Sequence, residues 1–316
     1  MIDTIKLYLD VADCGGVDLL PTATSLINGK EITNRATGEV RISGNVGKWY
    51  VNVGTGNIYM SGTLADILFE NNSRILTRHE VKDAIDKLSD LLHLPIGCAR
   101  VQRLDCAYHW IMNYPIWYYF PLLDDLPHYY RIQVSRNTLR YDKGINPNRI
   151  ENILQFYNKS RECRDKQKTM HNIYDNVNVL RYECKWLRNV AKQIGVNNIS
   201  ASTLSERDFY RTMIKRWAER YNAIMKHHTP YPVVPQFKDK RAAKQYVFGY
   251  LVNMADANVL NELKQHIKDS HSLDSRYFTD LWRDIRKSAE AILVDIKHDL
   301  ISELNDNVAN VLAYCK

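Results

Sequence analysis

Three short segments hold the side chains that could do chemistry: Arg103–His109, Leu154–Lys159 and Leu180–Lys185. Each carries polar residues on one face at the two-residue period of a strand. That period puts Asp105 and His109 on one side of the first segment. It puts Tyr157 and Lys159 together on the second, with Leu154 and Phe156 facing away. On the third, Arg181, Glu183 and Lys185 stand opposite Leu180, Tyr182 and Cys184. If the three strands share a sheet, one face collects Asp, Glu, His, Tyr, Lys and Arg. Such a set suits phosphodiester cleavage. Carboxylate oxygens can hold a hard divalent cation, which polarises a phosphoryl oxygen. A tyrosine hydroxyl can attack phosphorus and stay attached as a phosphotyrosine. A free tyrosine titrates near about 10, so a neighbouring cation must favour the phenolate. Lys159 is placed to do that, or to neutralise charge in the transition state. The plain alternative is a solvated face of acids and lysines around a tyrosine that only packs.

The elements that must position these residues are legible in outline. IKLYLD, VRISG, KWYVNVG and NIYMSG read as strands within the first 62 residues. Thr63–Phe69 is a short helix. Thr77 and Glu80 form a capping box, and Val81, Ala84, Ile85, Leu88, Leu91 and Leu92 repeat at helical spacing behind it. A strand is expected at Ala99–Trp110, a hairpin at Tyr129–Val134 and Thr138–Tyr141, and strands at Asn152–Lys159 and Val179–Trp186. Tyr114–Tyr130, with three prolines, is expected to be irregular or edge structure. From about residue 200 the pattern turns helical. Ser205–Asp208 is expected to cap a helix carrying Phe209, Met213, Trp217, Tyr221 and Ile224 on one face. Thr229–Pro235 breaks the pattern, which resumes at Asp239–Met254, Val259–Ile267 and Ser275–Leu304. This is an α+β chain with an antiparallel sheet and a mostly α-helical C-terminal part. The expected domains are 1–199 and 200–316.

The chain has 316 residues and a formal net charge of +7. Residues 131–192 hold 14 Lys and Arg against 6 Asp and Glu, a balance of +8, so the remainder carries −1. Tyr129, Tyr130, Tyr141, Tyr157, Tyr174, Tyr182 and Trp186 interleave that block. Cations for phosphates and rings for bases make a single-strand-binding composition. Arg131, Arg136, Arg140, Lys143, Arg181 and Lys185 are the expected DNA contacts there. Val259–Ile267 and Ser275–Arg286 could form a helix-turn-helix presenting Arg276 and Arg283 to a duplex, with Leu281 and Ile285 inward. An ordinary helical bundle is the competing reading. No GxGxxG and no GxxxxGK[ST] occurs, which leaves dinucleotide binding and P-loop hydrolysis without support. No stretch approaches a membrane span, and no secretory signal opens the sequence. The six cysteines include no CxxC pair, so reduced thiols in a cytoplasm are expected.

MIDTIKL, the KWYVNVG…NIYMSGTLADILFENN segment and LTRHEVKDAIDKL, followed by RLDCAYH, FYNKSRE and LRYEC, resemble the filamentous-phage gene II-type replication initiators. That family of phage and plasmid proteins is a divergent branch of the HUH endonucleases, which nick DNA to start rolling-circle replication. The resemblance covers about residues 1–190. It implies an HUH-like nuclease core with Tyr157 as nucleophile in a Tyr-x-Lys-x-x-Glu motif completed by Lys159 and Glu162. It places the Asp of an Arg-[Leu/Ile]-Asp motif on Asp105, and the Glu of an Arg-aromatic-Glu motif on Glu183. The wider superfamily binds metal with His-x-His, whereas Asp105 and Ala107 stand at that place here, with His109 nearby and His227 and His228 outside the motifs. The expected ligands are therefore Asp105, Glu183, Glu162 and His109, for Mg²⁺ or Mn²⁺ rather than zinc. The expected partners are single-stranded and duplex origin DNA with a host helicase and polymerase, in the cytoplasm of a bacterial host. A non-catalytic origin- or operator-binding protein, and a relaxase or transposase with the same chemistry, are the alternatives.

Overall fold

Strand segments with an apolar and a polar face build a ten-stranded antiparallel sheet, seen in a computed structural model of the chain. The structure describes residues 1–33, 37–69, 74–144, 146, 149–166, 174, 177–226, 238–254, 257–270, 274–290 and 300–314. The strands are β1 (Ile2–Asp10), β2 (Ile27–Thr33), β3 (Val40–Val46), β4 (Trp49–Val53), β5 (Asn57–Thr63), β6 (Arg100–Met112), β7 (Tyr130–Ser135), β8 (Thr138–Lys143), β9 (Asn152–Asn158) and β10 (Asn178–Trp186). Their order is β2-β3-β4-β5-β1-β6-β10-β9-β8-β7. The helices of this part are α1 (Leu20–Thr24), α2 (Ala65–Leu68), α3 (Arg78–Leu92), α4 (Lys159–Asp165), α5 (Val190–Ile194) and α6 (Arg207–Asn222). Then follow α7 (Lys240–Met254), α8 (Ala257–Asp269), α9 (Ser275–Glu290) and α10 (Leu300–Tyr314). The α+β class and the antiparallel sheet are as the pattern predicts.

The two faces of the sheet differ in chemistry. One face carries Leu7, Val51, Met60, Leu104, Cys106, Leu154, Phe156, Tyr182 and Cys184, all buried. Helix α6 packs on it: the Tyr182 ring lies 4.9 Å from Trp217 and 6.1 Å from Tyr221, and stacks on Phe156 at 4.5 Å. The face of α6 expected to be apolar is the buried one, with Phe209, Met213, Trp217 and Tyr221 inside. Helix α3 opens on the expected capping box, Thr77 with Glu80, and ends at Leu92. The other face carries the polar partners of the alternation. Arg181 is opposite His109 on β6 and Tyr157 on β9, Glu183 is opposite Ala107 and Gln155, and Lys185 is opposite Asp105 and Ile153.

A close approach fixes the β4–β5 corner. A Cβ on Gly62 would come within 2.5 Å of the Trp49 indole, which is fully buried there. Gly62→Ala is expected to destabilise the protein by about 1–3 kcal/mol, the usual cost of overpacking a rigid ring. Urea unfolding of the variant beside wild type measures it.

Helices α1 and α5 are not expected from the sequence pattern, and three further elements differ from it. Strand β2 has no counterpart in the sequence pattern: each of its residues is exposed, so burial imposes no alternation on it. Lys159 does not continue β9 but opens α4, because Asn158 ends the strand and caps the helix through Arg161 N–H. Ser205–Asp208 does not cap α6; its N-cap is Glu206, with no side-chain capping bond.

The chain forms two compact units, Met1–His227 with Glu303–Lys316, and His228–Ser302. The change from strand to helix after β10 and the division into units are thus different boundaries, since α6 belongs with the sheet. In the second unit α7 packs against α9, a pairing outside the expected helix-turn-helix of 259–267 and 275–286. Arg276 and Arg283 are exposed on α9, with Arg283 paired to Asp280 at 2.7 Å. Leu281, expected to face inward, is 36% exposed, while Ile285 is half-buried. His227, His228, Thr229–Pro235 and the 271–273 linker lie outside the described residues.

Candidate active site

Adjacent strands β6, β10 and β9 bring Asp105, Glu183 and Tyr157 to one cleft of about 610 Å³, closed at one end by α4 and at another by the β7–β8 turn. Its walls include Asp3, Thr4, Arg103, Gln155, Arg161, Glu162, Lys166 and Lys185. Tyr157 is half-buried, and its hydroxyl donates to Glu183 Oε1 at 2.8 Å. The same oxygen accepts from Arg181 Nε at 2.7 Å, and Glu183 Oε2 lies 2.9 Å from Lys185 Nζ. Arg181 reaches Asp3 at 3.0 Å on its far side. Its side chain is 2% exposed, so the guanidinium is a buried cation between two carboxylates.

The electrostatics follow from this network. Burial pushes the Tyr157 phenol far above its ordinary value; Arg181 pulls it back in part, while Glu183 and Glu162 add to the rise. The resting side chain is a neutral hydrogen-bond donor. Burial opposes ionisation of Glu183, but Arg181 and Lys185 outweigh it and hold the carboxyl well below the usual range. Asp105 behaves differently: burial lifts it to about 6 against the pull of Arg103. Arg103 holds both Asp105 oxygens, at 2.9 and 2.6 Å.

Not every expected residue stands where the strand period put it. Lys159 is buried at the start of α4, bound to Glu162 at 2.7 Å, with its ammonium 6.0 Å from the Tyr157 ring centre. Arg131 is half-buried and donates to the carbonyls of Leu123 and Phe120, and Arg181 is buried. Arg136 lies over the Trp117 ring at 4.2 Å, Arg140 pairs with Asp142, and Lys143 is half-buried at the end of β8. Asp3 escapes sequence reasoning for a reason: its parity matches core residues Ile5 and Leu7, and only a register shift between Ile2 and Ile5 re-aims it.

Of the four expected metal ligands, Asp105, Glu183 and Glu162 line the same cleft, but their oxygens are already engaged. Both oxygens of Asp105 are held by Arg103, those of Glu162 by Lys159 and Lys166, and those of Glu183 by Arg181, Tyr157 and Lys185. His109 stands apart, its Nε2 on the Tyr174 hydroxyl at 2.7 Å and its Nδ1 buried without a hydrogen-bond partner among the described residues. No group of three His, Cys, Asp or Glu able to hold a metal ion occurs among the described residues. As arranged, these side chains do not fit a divalent cation.

His109 carries its own pH prediction. Burial, with Arg181 and Lys159 adding, pushes the imidazole down to about 3, so the folded protein keeps it neutral. Between about pH 6.5 and 3 the unfolded chain takes up a proton there and the folded chain does not. This residue's contribution to stability therefore falls as pH falls through that window. His109→Gln should lose less stability than wild type between pH 7 and pH 4, read by urea unfolding at each pH. Equal losses would place the histidine in contact with solvent.

A family model for the N-terminal part of the replication-associated gene II protein matches residues 19–206, more than half of the chain. The chain belongs to this family. It is thus a phage replication initiator of the gene II type, and binding to origin DNA goes with that membership. Among curated proteins, none matches the initiator. The family match takes in β2 to β10, with Tyr157, Glu183 and Asp105. No helix among its described residues is long and apolar enough to cross a membrane.

Proposed function

We infer that this initiator nicks one strand of origin DNA with Tyr157 and later rejoins it, on a divergent HUH-like core. The observation that supports this most is the Tyr157 hydroxyl, held on Glu183 Oε1 in an open cleft walled by Arg103, Arg161, Lys166 and Lys185. In the proposed step, Tyr157 Oη attacks phosphorus and its proton passes to Glu183 Oε1. The bond from phosphorus to the 3′ oxygen breaks, and that oxygen leaves as a hydroxyl after taking a proton from solvent water in the open cleft. The 5′ phosphate stays on Tyr157. Because the phenol is held neutral and Glu183 is a weak base, proton transfer accompanies attack instead of preceding it. The cationic walls offset the charge that develops on the phosphoryl oxygens. The phosphotyrosine keeps the bond energy, so rejoining needs no nucleotide hydrolysis. The free 3′ hydroxyl is a primer for a host polymerase, and a host helicase would open the duplex ahead of it. The helices of residues 200–316, with Arg276 and Arg283 exposed, are the proposed readers of duplex origin sequence.

The desolvated, neutral phenol of Tyr157 favours one competing reading, an origin-binding protein in which Tyr157 only packs. Single-stranded origin DNA labelled at either end separates the two on a denaturing gel. Nicking by tyrosine leaves the 3′-side fragment on the protein and a free, extendable 3′ hydroxyl on the other. Binding with no protein-linked fragment would establish the non-catalytic reading. Glu183→Gln keeps an acceptor for the hydroxyl but removes the base. It is expected to slow nicking by about 10²–10⁴ while single-strand affinity changes little.

A further inference from the structure

The cleft around Tyr157 does not end at β6. Thr4 and Arg103 line it and also line a second depression on the same face, over β1, β5 and β4. That depression is walled by Lys6, Tyr50, Asn52, Tyr59 and Ser61 besides the two shared residues, and has two cations and no carboxylate. Tyr50 is 47% exposed on a strand whose alternate residues Trp49, Val51 and Val53 are buried, so its ring is not part of the core. Tyr59 lies 4.9 Å from the Tyr8 ring and has Lys6 at 5.6 Å and the Arg41 guanidinium at 5.1 Å from its centre. Lys6 is exposed and has no carboxylate partner among the described residues. Arg41 is paired with Glu39 and Arg103 with Asp105, so Lys6 is the cation here left for a phosphate; rings interleaved with cations suit the bases and phosphates of a single strand. A negatively charged surface without flat rings would leave Tyr50 unused. All of these residues lie outside the basic block of 131–192.

Given the nicking reading above, we propose that the single strand runs from Tyr157 past Arg103 to a second subsite, where Tyr50 stacks on a nucleobase and Lys6 takes the adjoining phosphate. From β9 to β4 is five strand spacings, about 24 Å at about 4.8 Å each. The path therefore holds several nucleotides, and a substrate trimmed close to the nick would lose this contact.

The test uses full-length protein carrying Tyr157→Phe, so that nothing is cleaved, and a fluorescent short oligothymidylate. Adding Tyr50→Ala and Lys6→Gln should weaken binding about 5- to 100-fold, the range for losing one stacking platform. Tyr50→Phe should bind as its parent does. Lys6→Gln alone should lower the slope of log affinity against log salt by about 0.7. Should the Ala variant fold poorly, photo-crosslinking of wild type to halogenated oligouridylate reads the same contact. Adducts on Tyr50 or Tyr59 support the subsite. Unchanged affinity and salt slope in folded variants, or crosslinks confined to other surfaces, overturn it. If wild type forms no covalent adduct with origin DNA yet Tyr50→Ala weakens binding, the nicking reading falls and the subsite stands. If the adduct forms and Tyr50→Ala is silent, only the subsite falls.

Discussion

Tyr157→Phe is expected to abolish formation of the covalent protein–DNA adduct while leaving single-strand affinity within about two-fold. The ring keeps its place on β9 between Arg181 and Thr138. What disappears is the oxygen proposed as nucleophile, the one hydroxyl bonded to the Glu183 carboxylate among the described residues. The loss of the hydroxyl also frees Glu183 of one hydrogen bond while Arg181 and Lys185 remain on it, so the charge network survives. Stability should change by no more than about 1 kcal/mol, the net worth of a typical hydrogen bond. A gel-shift titration with a denaturing gel on the same samples gives both quantities. A Phe variant that still forms an adduct would move the nucleophile to another tyrosine. Tyr108 and Tyr182 are poor substitutes, since both lie on the core-facing parity of their strands and Tyr182 is fully buried.

Arg181→Met is expected to be the most destabilising single substitution in the sheet. The guanidinium is enclosed between Asp3 and Glu183, with Tyr157 sharing the Glu183 oxygen. Removing it leaves buried Glu183 with Lys185 alone and half-buried Asp3 without the guanidinium. Breaking a buried pair from one side costs about 3–5 kcal/mol. A domain's whole stability is about 5–15 kcal/mol, so the variant should unfold at much lower urea. The sign can be checked by relief: adding Asp3→Asn to Arg181→Met should restore part of the loss, because one orphaned charge is gone. A shift below about 1 kcal/mol would mean that solvent reaches this site.

The two faces of the sheet are legible in the sequence because burial enforces a period of two. Leu154, Phe156, Leu180, Tyr182 and Cys184 fall on one side, and Tyr157, Arg181, Glu183 and Lys185 on the other, as their spacing requires. Helix α3 is legible because Thr77 and Glu80 satisfy its first N–H groups, a signal confined to four residues. Lys159 is misplaced by the strand period because one residue, Asn158, ends the strand and starts a helix, and local pattern alone does not mark that switch. Asp3 is invisible because a register shift overrides alternation. The roles of the arginines are not legible at all. Whether a cation meets a phosphate, a carbonyl as in Arg131, or a buried carboxylate as in Arg181 depends on tertiary neighbours. Composition counts them alike. Strand β2 lies beyond the pattern because its side chains are exposed on both sides.

The central claim is that the Tyr157 oxygen becomes the link to DNA. The most direct measurement is mass spectrometry of the protein after incubation with single-stranded origin DNA, nuclease trimming and proteolysis. The account predicts one modified peptide, spanning β9, with a nucleoside 5′-phosphate carried by Tyr157. A trimmed nucleotide on any other residue, or nicked DNA with every tyrosine unmodified throughout the time course, would contradict it.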